Sequence, residues 1–310
     1  MPRDLRGPSP FRPFRPPTDV RPRPNGPAGG WRGQQAWENG VAHETLRAMV
    51  GTKALKAGHF IFEFVTPGIG HVLKNAGCDF VVFDMEHSAF GFETIKQALR
   101  YAEAARLPAI VRVPSRDYDH IARACDSGAE GVMMPLVGSV AETRSILASV
   151  KYPPVGGRGV ALGIAHDNYT GGPTAEKLIA ANKRTTVFIL IETAEGVENA
   201  EAIAALDGVD CLWIGHFDLS CSLGIPGEFA HPKFVTAVKT VVAAAKKHGK
   251  SLGRFVPDVA SGLALYAEGF DFLTYSGDLW IYQAAVAAGI SGLREGAAEK
   301  PKRAGKGKAA

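Results

Sequence analysis

The 310-residue sequence predicts a closed (β/α)8 barrel, and three observations carry the prediction. Eight short, almost uninterrupted apolar runs recur along the chain, as in parallel strands covered on both faces. The gaps between them hold stretches of helical pattern, the alternation of a β/α fold. No glycine-rich GxGxxG turn follows the first run, which counts against the alternative of a doubly wound sheet.

In chain order the strands are expected at 59–64 (HFIFEF), 80–84 (FVVFD), 108–113 (PAIVRV), 130–135 (EGVMMP), 186–192 (TVFILIE), 210–214 (DCLWI), 251–255 (SLGRF) and 270–275 (FDFLTY). Helices are expected at 67–76, 92–105, 117–126, 139–150, 195–205, 232–248, 257–267 and 278–289, with one more before the first strand. Two connections, 151–172 and 215–231, are longer than the rest and rich in Gly and Pro. Both read as following the C-terminal end of a strand, where long ordered loops are usually functional.

With 46% hydrophobic and 21% charged residues the chain is globular. No apolar run reaches the roughly 18 residues of a membrane helix. Cys78, Cys125, Cys211 and Cys221 show no metal-type spacing, and three fall in or beside apolar segments; they read as reduced thiols of a cytoplasmic protein. The net charge of +4 hides a division. Residues 1–34 hold seven Arg against two Asp, and residues 294–310 hold six Lys/Arg against two Glu, so the middle of the chain is negative by five. Three segments follow: a disordered Pro/Arg-rich tail (1–34), a catalytic barrel domain (35–293) and a flexible basic tail (294–310). Nucleic-acid binding would have to reside in the tails.

In such a barrel the reactive groups lie at the C-terminal strand ends. Glu192 and Asp218 each sit just past an apolar run, where a charge is costly without a partner. Their hard oxygens suit Mg²⁺ or Mn²⁺, and also Co²⁺, more than structural Zn²⁺. The alternative is that each caps the following helix. His87, beside Asp84 and Glu86, could serve as a general base or be a satisfied rim histidine. Arg112 could hold a carboxylate or enolate oxygen, or pair with Glu86 or Asp126. No expected strand carries a lysine, so imine catalysis is not expected.

These residues and their surroundings resemble the HpcH/HpaI aldolase family, metal-dependent pyruvate aldolases related to the citrate lyase β-subunit. The resemblance runs from about Thr52 to Ile290, through Phe83-Asp-Met-Glu-His-Ser88, Arg112-Val-Pro114, the segment from Asp126 to Pro135, Tyr152 to Gly159, Ile191-Glu-Thr193 and Ile214-Gly-His-Phe-Asp-Leu-Ser220. It implies a barrel that exchanges C-terminal helices between subunits in trimers or hexamers. It also implies metal ligation by Glu192 and Asp218, His87 as base paired with Asp126, Arg112 on the enolate oxygen, and a pyruvate carboxylate received near Gly215, His216 and Phe217. The implied reaction cleaves or forms 4-hydroxy-2-oxo acids from pyruvate, or a related 2-oxo acid, and an aldehyde.

The chain departs from the family pattern at Leu190, where a polar residue is usual, and at His216-Phe217, which add an imidazole and a bulky ring. His166 and Asn168 stand where an arginine and a serine are usual. Acceptor specificity is therefore open, as is the balance with 2-oxo-acid decarboxylation. An acyl-CoA lyase of the same superfamily and a non-catalytic barrel scaffold are the competing readings.

Overall fold

The computed structural model describes residues 45–298. The segment 1–34 lies outside the described residues. The tail expected to begin at 294 is helical as far as Ala298, and the rest of it lies outside as well.

Eight parallel strands, β1 (Lys56–Ile61), β2 (Phe80–Asp84), β3 (Ala109–Arg112), β4 (Gly131–Met134), β5 (Thr186–Ile191), β6 (Cys211–Ile214), β7 (Ser251–Val256) and β8 (Phe272–Gly277), close into a barrel in sequential order. The helices are α1 (Leu46–Met49), α2 (Ile69–Asn75), α3 (Phe92–Ala104), α4 (Tyr118–Asp126), α5 (Val140–Val150), α6 (Thr174–Arg184), α7 (Ala194–Glu198), α8 (Ala200–Ala204), α9 (His216–Ser222), α10 (Pro232–Lys247), α11 (Val259–Glu268) and α12 (Asp278–Ala298). The fold is the expected (β/α)8 barrel.

Strand parity separates two cores. Phe80, Val82, Ile110, Met133, Phe188, Leu190, Cys211, Trp213 and Phe272 pack inside the barrel, with Leu46 and Met49 of α1 beside them. The alternate residues, such as Val81, Phe83, Val111, Ile189 and Leu212, pack outward with the helices. Trp213 finds room because its register partner on β7 is Gly253, where a Cβ would overlap the indole.

Three expectations are corrected. The first strand begins at Lys56 rather than 59 and ends at Ile61, because the N–H groups of Phe62, Glu63 and Phe64 are taken by the Asp278 carboxylate (2.7–3.0 Å). The connection 151–172 follows helix α5, not a strand, and therefore lies on the rim opposite the site, where β5 begins. It leads into α6, which was not anticipated. The 215–231 connection does follow β6, and it contains the short helix α9.

Lys56 brings a lysine into a strand, but at the far end of the barrel from the C-terminal rim. Its Nζ donates to Asp271 (2.6 Å) and to Thr52, and Asp271 also accepts from Ser251 Oγ and the Leu252 amide. This buried pair ties β1 to β7 and β8, where the barrel closes. Lys56→Met is expected to lower unfolding free energy by about 3–5 kcal/mol, the cost of leaving a buried carboxylate unpaired. Urea titration would show it as a lower midpoint at unchanged slope.

Candidate active site

The inward parity of β2, β3 and β5 places Asp84, Arg112 and Glu192 together at the C-terminal rim. Asp84 is fully buried. Its Oδ1 accepts from Arg112 Nε (3.0 Å) and from the amides of Glu86 (2.8 Å) and His87 (3.3 Å), and its Oδ2 accepts from Arg112 Nη2. Ser88 Oγ donates to the Asp84 carbonyl, closing the turn that carries Glu86 and His87. Arg112 also lies 3.3 Å from Glu86 and over the Phe60 ring. Burial alone would lower its pKa, but Asp84 and Glu86 outweigh that and raise it.

Glu192 is 2% exposed. Its Oε1 accepts the Leu136 amide (2.6 Å), presented by a backbone at φ +53°, a conformation uncommon for leucine. The space beside Oε2 exists because residue 215 is glycine; a Cβ there would overlap the carboxylate. Burial pushes the Glu192 carboxyl up to about 7, the Leu136 amide opposes the rise, and the negative charges of Glu86 and Asp218 add to it. Burial likewise raises Glu86, against the pull of Arg112 and His87. Asp218 is exposed in the first turn of α9.

Neither metal candidate is a helix cap. Thr193 caps α7, accepting the Gly196 amide, and the N-cap of α9 is Gly215, with no side-chain cap hydrogen bond. Four carboxylates therefore share one guanidinium, and two of them carry raised pKa values. A divalent cation fits this set on two counts: the donors are hard oxygens, and it would neutralise the excess charge. Among the described residues the group of three with ligand-type atoms all within 4.8 Å of one another is instead Asp117, Asp119 and His120, which is more exposed and lies outside the cavity at the start of α4.

A cavity of about 620 Å³ opens over these groups and is lined by His87, Arg112, Leu190, Glu192, Gly215, His216, Phe217 and Asp218. Every expected site residue but one thus borders the same space. His87 is largely exposed, with Nε2 3.7 Å from Glu86. His216 is enclosed by Phe217, Phe229 and Phe255; burial, helped by Arg254, pushes its pKa down to about 4 and keeps it neutral. No lysine lines the cavity among the described residues.

Asp126 is the exception, and its expected pairing with His87 is not formed within this chain. It ends α4, which runs back against the strands, so it lies on the opposite rim and pairs with Arg158. Asp84 and Glu86, expected at the end of the second strand, are there, and the Arg112–Glu86 pairing offered as the structural alternative is formed alongside the one to Asp84. The aromatic lining residues Phe60, Phe62, Trp213, Phe255 and Trp280 were not among the expected site residues.

A (β/α)8 barrel with acids, an arginine and a histidine gathered at the C-terminal rim has the layout of a barrel enzyme. Comparison with known proteins defines its family. The family profile HpcH/HpaI aldolase/citrate lyase matches residues 66–282. A protein of Klebsiella pneumoniae named 5-keto-4-deoxy-D-glucarate aldolase is 33% identical over 248 residues, spanning 80% of this chain and 96% of that protein. An HpcH/HpaI aldolase structure from Desulfitobacterium hafniense superposes with a TM-score of 0.76 at 31% identity, covering 83% of this chain and 98% of that one. The structure of citrate synthase SbnG gives 0.73 at 26% identity, covering 82% and 99%. The chain belongs to the HpcH/HpaI aldolase/citrate lyase family, and with it to the carbon–carbon lyases of aldolase type.

The Glu192 carboxyl titrates higher in the folded chain, at about 7, than its ordinary 4.5. Its contribution to stability is complete below about pH 4.5 and is lost as pH rises toward 7. In chelator-treated protein the loss is expected to reach about 3 kcal/mol. Thermal melts between pH 4.5 and 7 should therefore fall less steeply for Glu192→Gln than for the parent.

Proposed function

We propose that the protein is a divalent-metal-dependent aldolase that cleaves or forms 4-hydroxy-2-oxo acids through a pyruvate enolate. The observation that carries this reading is the convergence of Glu192, Asp218, Arg112 and His87 on one rim cavity with an excess of carboxylates. The names of its relatives support the reaction class.

Glu192 and Asp218 would hold the cation, Mg²⁺, Mn²⁺ or Co²⁺, which when bound supplies Lewis acidity toward the 2-oxo-acid oxygens. His87, acting through a water, takes the proton from the 4-hydroxyl. The C3–C4 bond then breaks, its electron pair passes toward C3 and the keto oxygen, and the aldehyde departs. Arg112, fixed by Asp84, faces the oxygen on which negative charge develops. The proton held by His87 returns to C3 and yields pyruvate, so the cycle needs no oxidant or reductant. The first amides of α9, at His216 and Phe217, lack intrahelical partners and would receive the pyruvate carboxylate. A decarboxylase acting on a 2-oxo diacid would pass through the same enolate. An acyl-CoA lyase is less favoured, since Arg112 is the single Lys or Arg lining the cavity among the described residues and is already paired.

We also propose assembly with further copies of the chain, as a trimer or hexamer. From Ile281 to Ala298, beyond the cavity-lining Trp280, every residue of α12 is exposed, including Ile281, Tyr282, Val286, Ile290 and Leu293. An apolar helix of this length calls for a covering surface. Cytoplasmic placement is proposed from the free cysteines.

EDTA treatment is expected to lower retro-aldol activity at least 100-fold, with recovery on adding Mn²⁺, Mg²⁺ or Co²⁺ to the parent but not to Glu192→Gln or Asp218→Asn. Full activity after chelation, or a borohydride-trapped pyruvate adduct on a lysine, would refute the mechanism. Light scattering is expected to give a multiple of the chain mass, reduced in Val286→Asp/Ile290→Asp; a monomeric parent would overturn the assembly proposal.

A further inference from the structure

We propose that the acceptor end of this site takes a neutral aldehyde with an aromatic or bulky apolar substituent, and discriminates against anionic and polyhydroxylated aldehydes. The inference rests on the aldolase reading above and assigns its substrate class.

The cavity lining combines two chemistries. One is the set of polar groups, Glu192, Asp218, Arg112, His87 and His216; the other is an apolar surface made by the rings of Phe62, Trp213, Phe217, Phe255 and Trp280 with Leu190. These rings hold one another in place: Phe62 meets Trp280 edge-on at 5.0 Å, Phe255 meets Trp280 at 5.7 Å, and Phe60 stacks on Phe62 at 5.3 Å. Two of these rings are open to solvent, Phe217 at 61% and Trp280 at 45%, Phe62 and Phe255 are partly so, and Trp213 is buried. Such a patch inside a concave site is matched by an apolar ligand rather than by water.

The polar inventory points the same way. Among the described residues no Ser, Thr, Asn, Gln, Tyr or Lys side chain lines the cavity, and the imidazole of His216 is the polar group packed among the rings. Hydroxyls along an acceptor chain would lose water there with few replacement partners, a cost that reaches kcal/mol per group in apolar surroundings. Arg112 is held by Asp84 and Glu86 and, in the proposed reaction, is assigned to the enolate oxygen, so the cavity offers no second Lys or Arg among the described residues for an acceptor carboxylate. With Glu192 and Asp218 engaged by the proposed cation, the remaining acid in the lining is Glu63, which would repel an anionic acceptor. A neutral aldehyde whose substituent stacks against the rings meets neither penalty.

The test uses the metal-loaded full-length protein with pyruvate as donor. Exchange of the pyruvate methyl protons with deuterated solvent, followed by NMR, reports enolate formation without any acceptor. Aldol formation is then compared for benzaldehyde, succinic semialdehyde and glyceraldehyde. The expected result is kcat/KM at least tenfold higher for benzaldehyde, within the range an apolar pocket can discriminate. In Phe62→Ser and Trp280→Ser the ratio of benzaldehyde to glyceraldehyde should fall about tenfold. Unreactive 4-nitrobenzyl alcohol should quench tryptophan fluorescence saturably in the parent, and more weakly in Phe62→Ser. Exchange accompanied by a preference for succinic semialdehyde or glyceraldehyde, or by ratios unmoved in both variants, overturns the inference while leaving the aldolase reading intact. Absence of exchange overturns both.

Discussion

The rim of this barrel is organised by one buried ion pair, Asp84 with Arg112. Adjacent parallel strands put these two side chains at the same height on the same face, and β2–β3 pairing sets their register. Asp84 spends its acceptor capacity on the guanidinium and on the amides of residues 86 and 87, so a single carboxylate fixes both the arginine and the turn that carries the histidine. A buried charge pair of this kind adds little net stability. Its value lies in holding reactive groups still before a substrate arrives.

Around that pair the charges do not balance. Glu86, Glu192 and Asp218 add negative charge to a space with one guanidinium; burial first, and the neighbouring acids after it, raise the carboxyl pKa values of Glu86 and Glu192. The cation proposed for Glu192 and Asp218 would offset that excess. The same cavity is lined by a set of aromatic rings, so one pocket combines groups suited to charge with a surface suited to apolar contact.

Much of the layout was legible in the sequence because parallel strands are short, apolar and regularly spaced. Glu192, Asp218, Arg112 and His87 could be found by reading the residue at each strand end. What escaped depends on tertiary direction. Asp126 and the connection 151–172 lie near strand boundaries in sequence, but a helix between strands returns the chain to the opposite rim, and counting helices rather than residues separates the two ends. The start of β1 was missed because Lys56 looks like a loop residue until Asp271, 215 positions away, supplies its counter-charge. The aromatic half of the cavity was hidden for another reason: phenylalanine and tryptophan in a strand signal core, and only geometry shows which rings face a void.

The indole of Trp213 and the bare backbone of Gly253 share one volume across two strands. The two positions are therefore a single degree of freedom in evolution: neither can change size freely while the other stays as it is. Bulk could migrate from β6 to β7 by a paired exchange, turning the cavity wall inside its frame without altering strand register. Descendants with different acceptor preferences would then be separated from this chain by coupled double steps, each single intermediate being either overfilled or hollow.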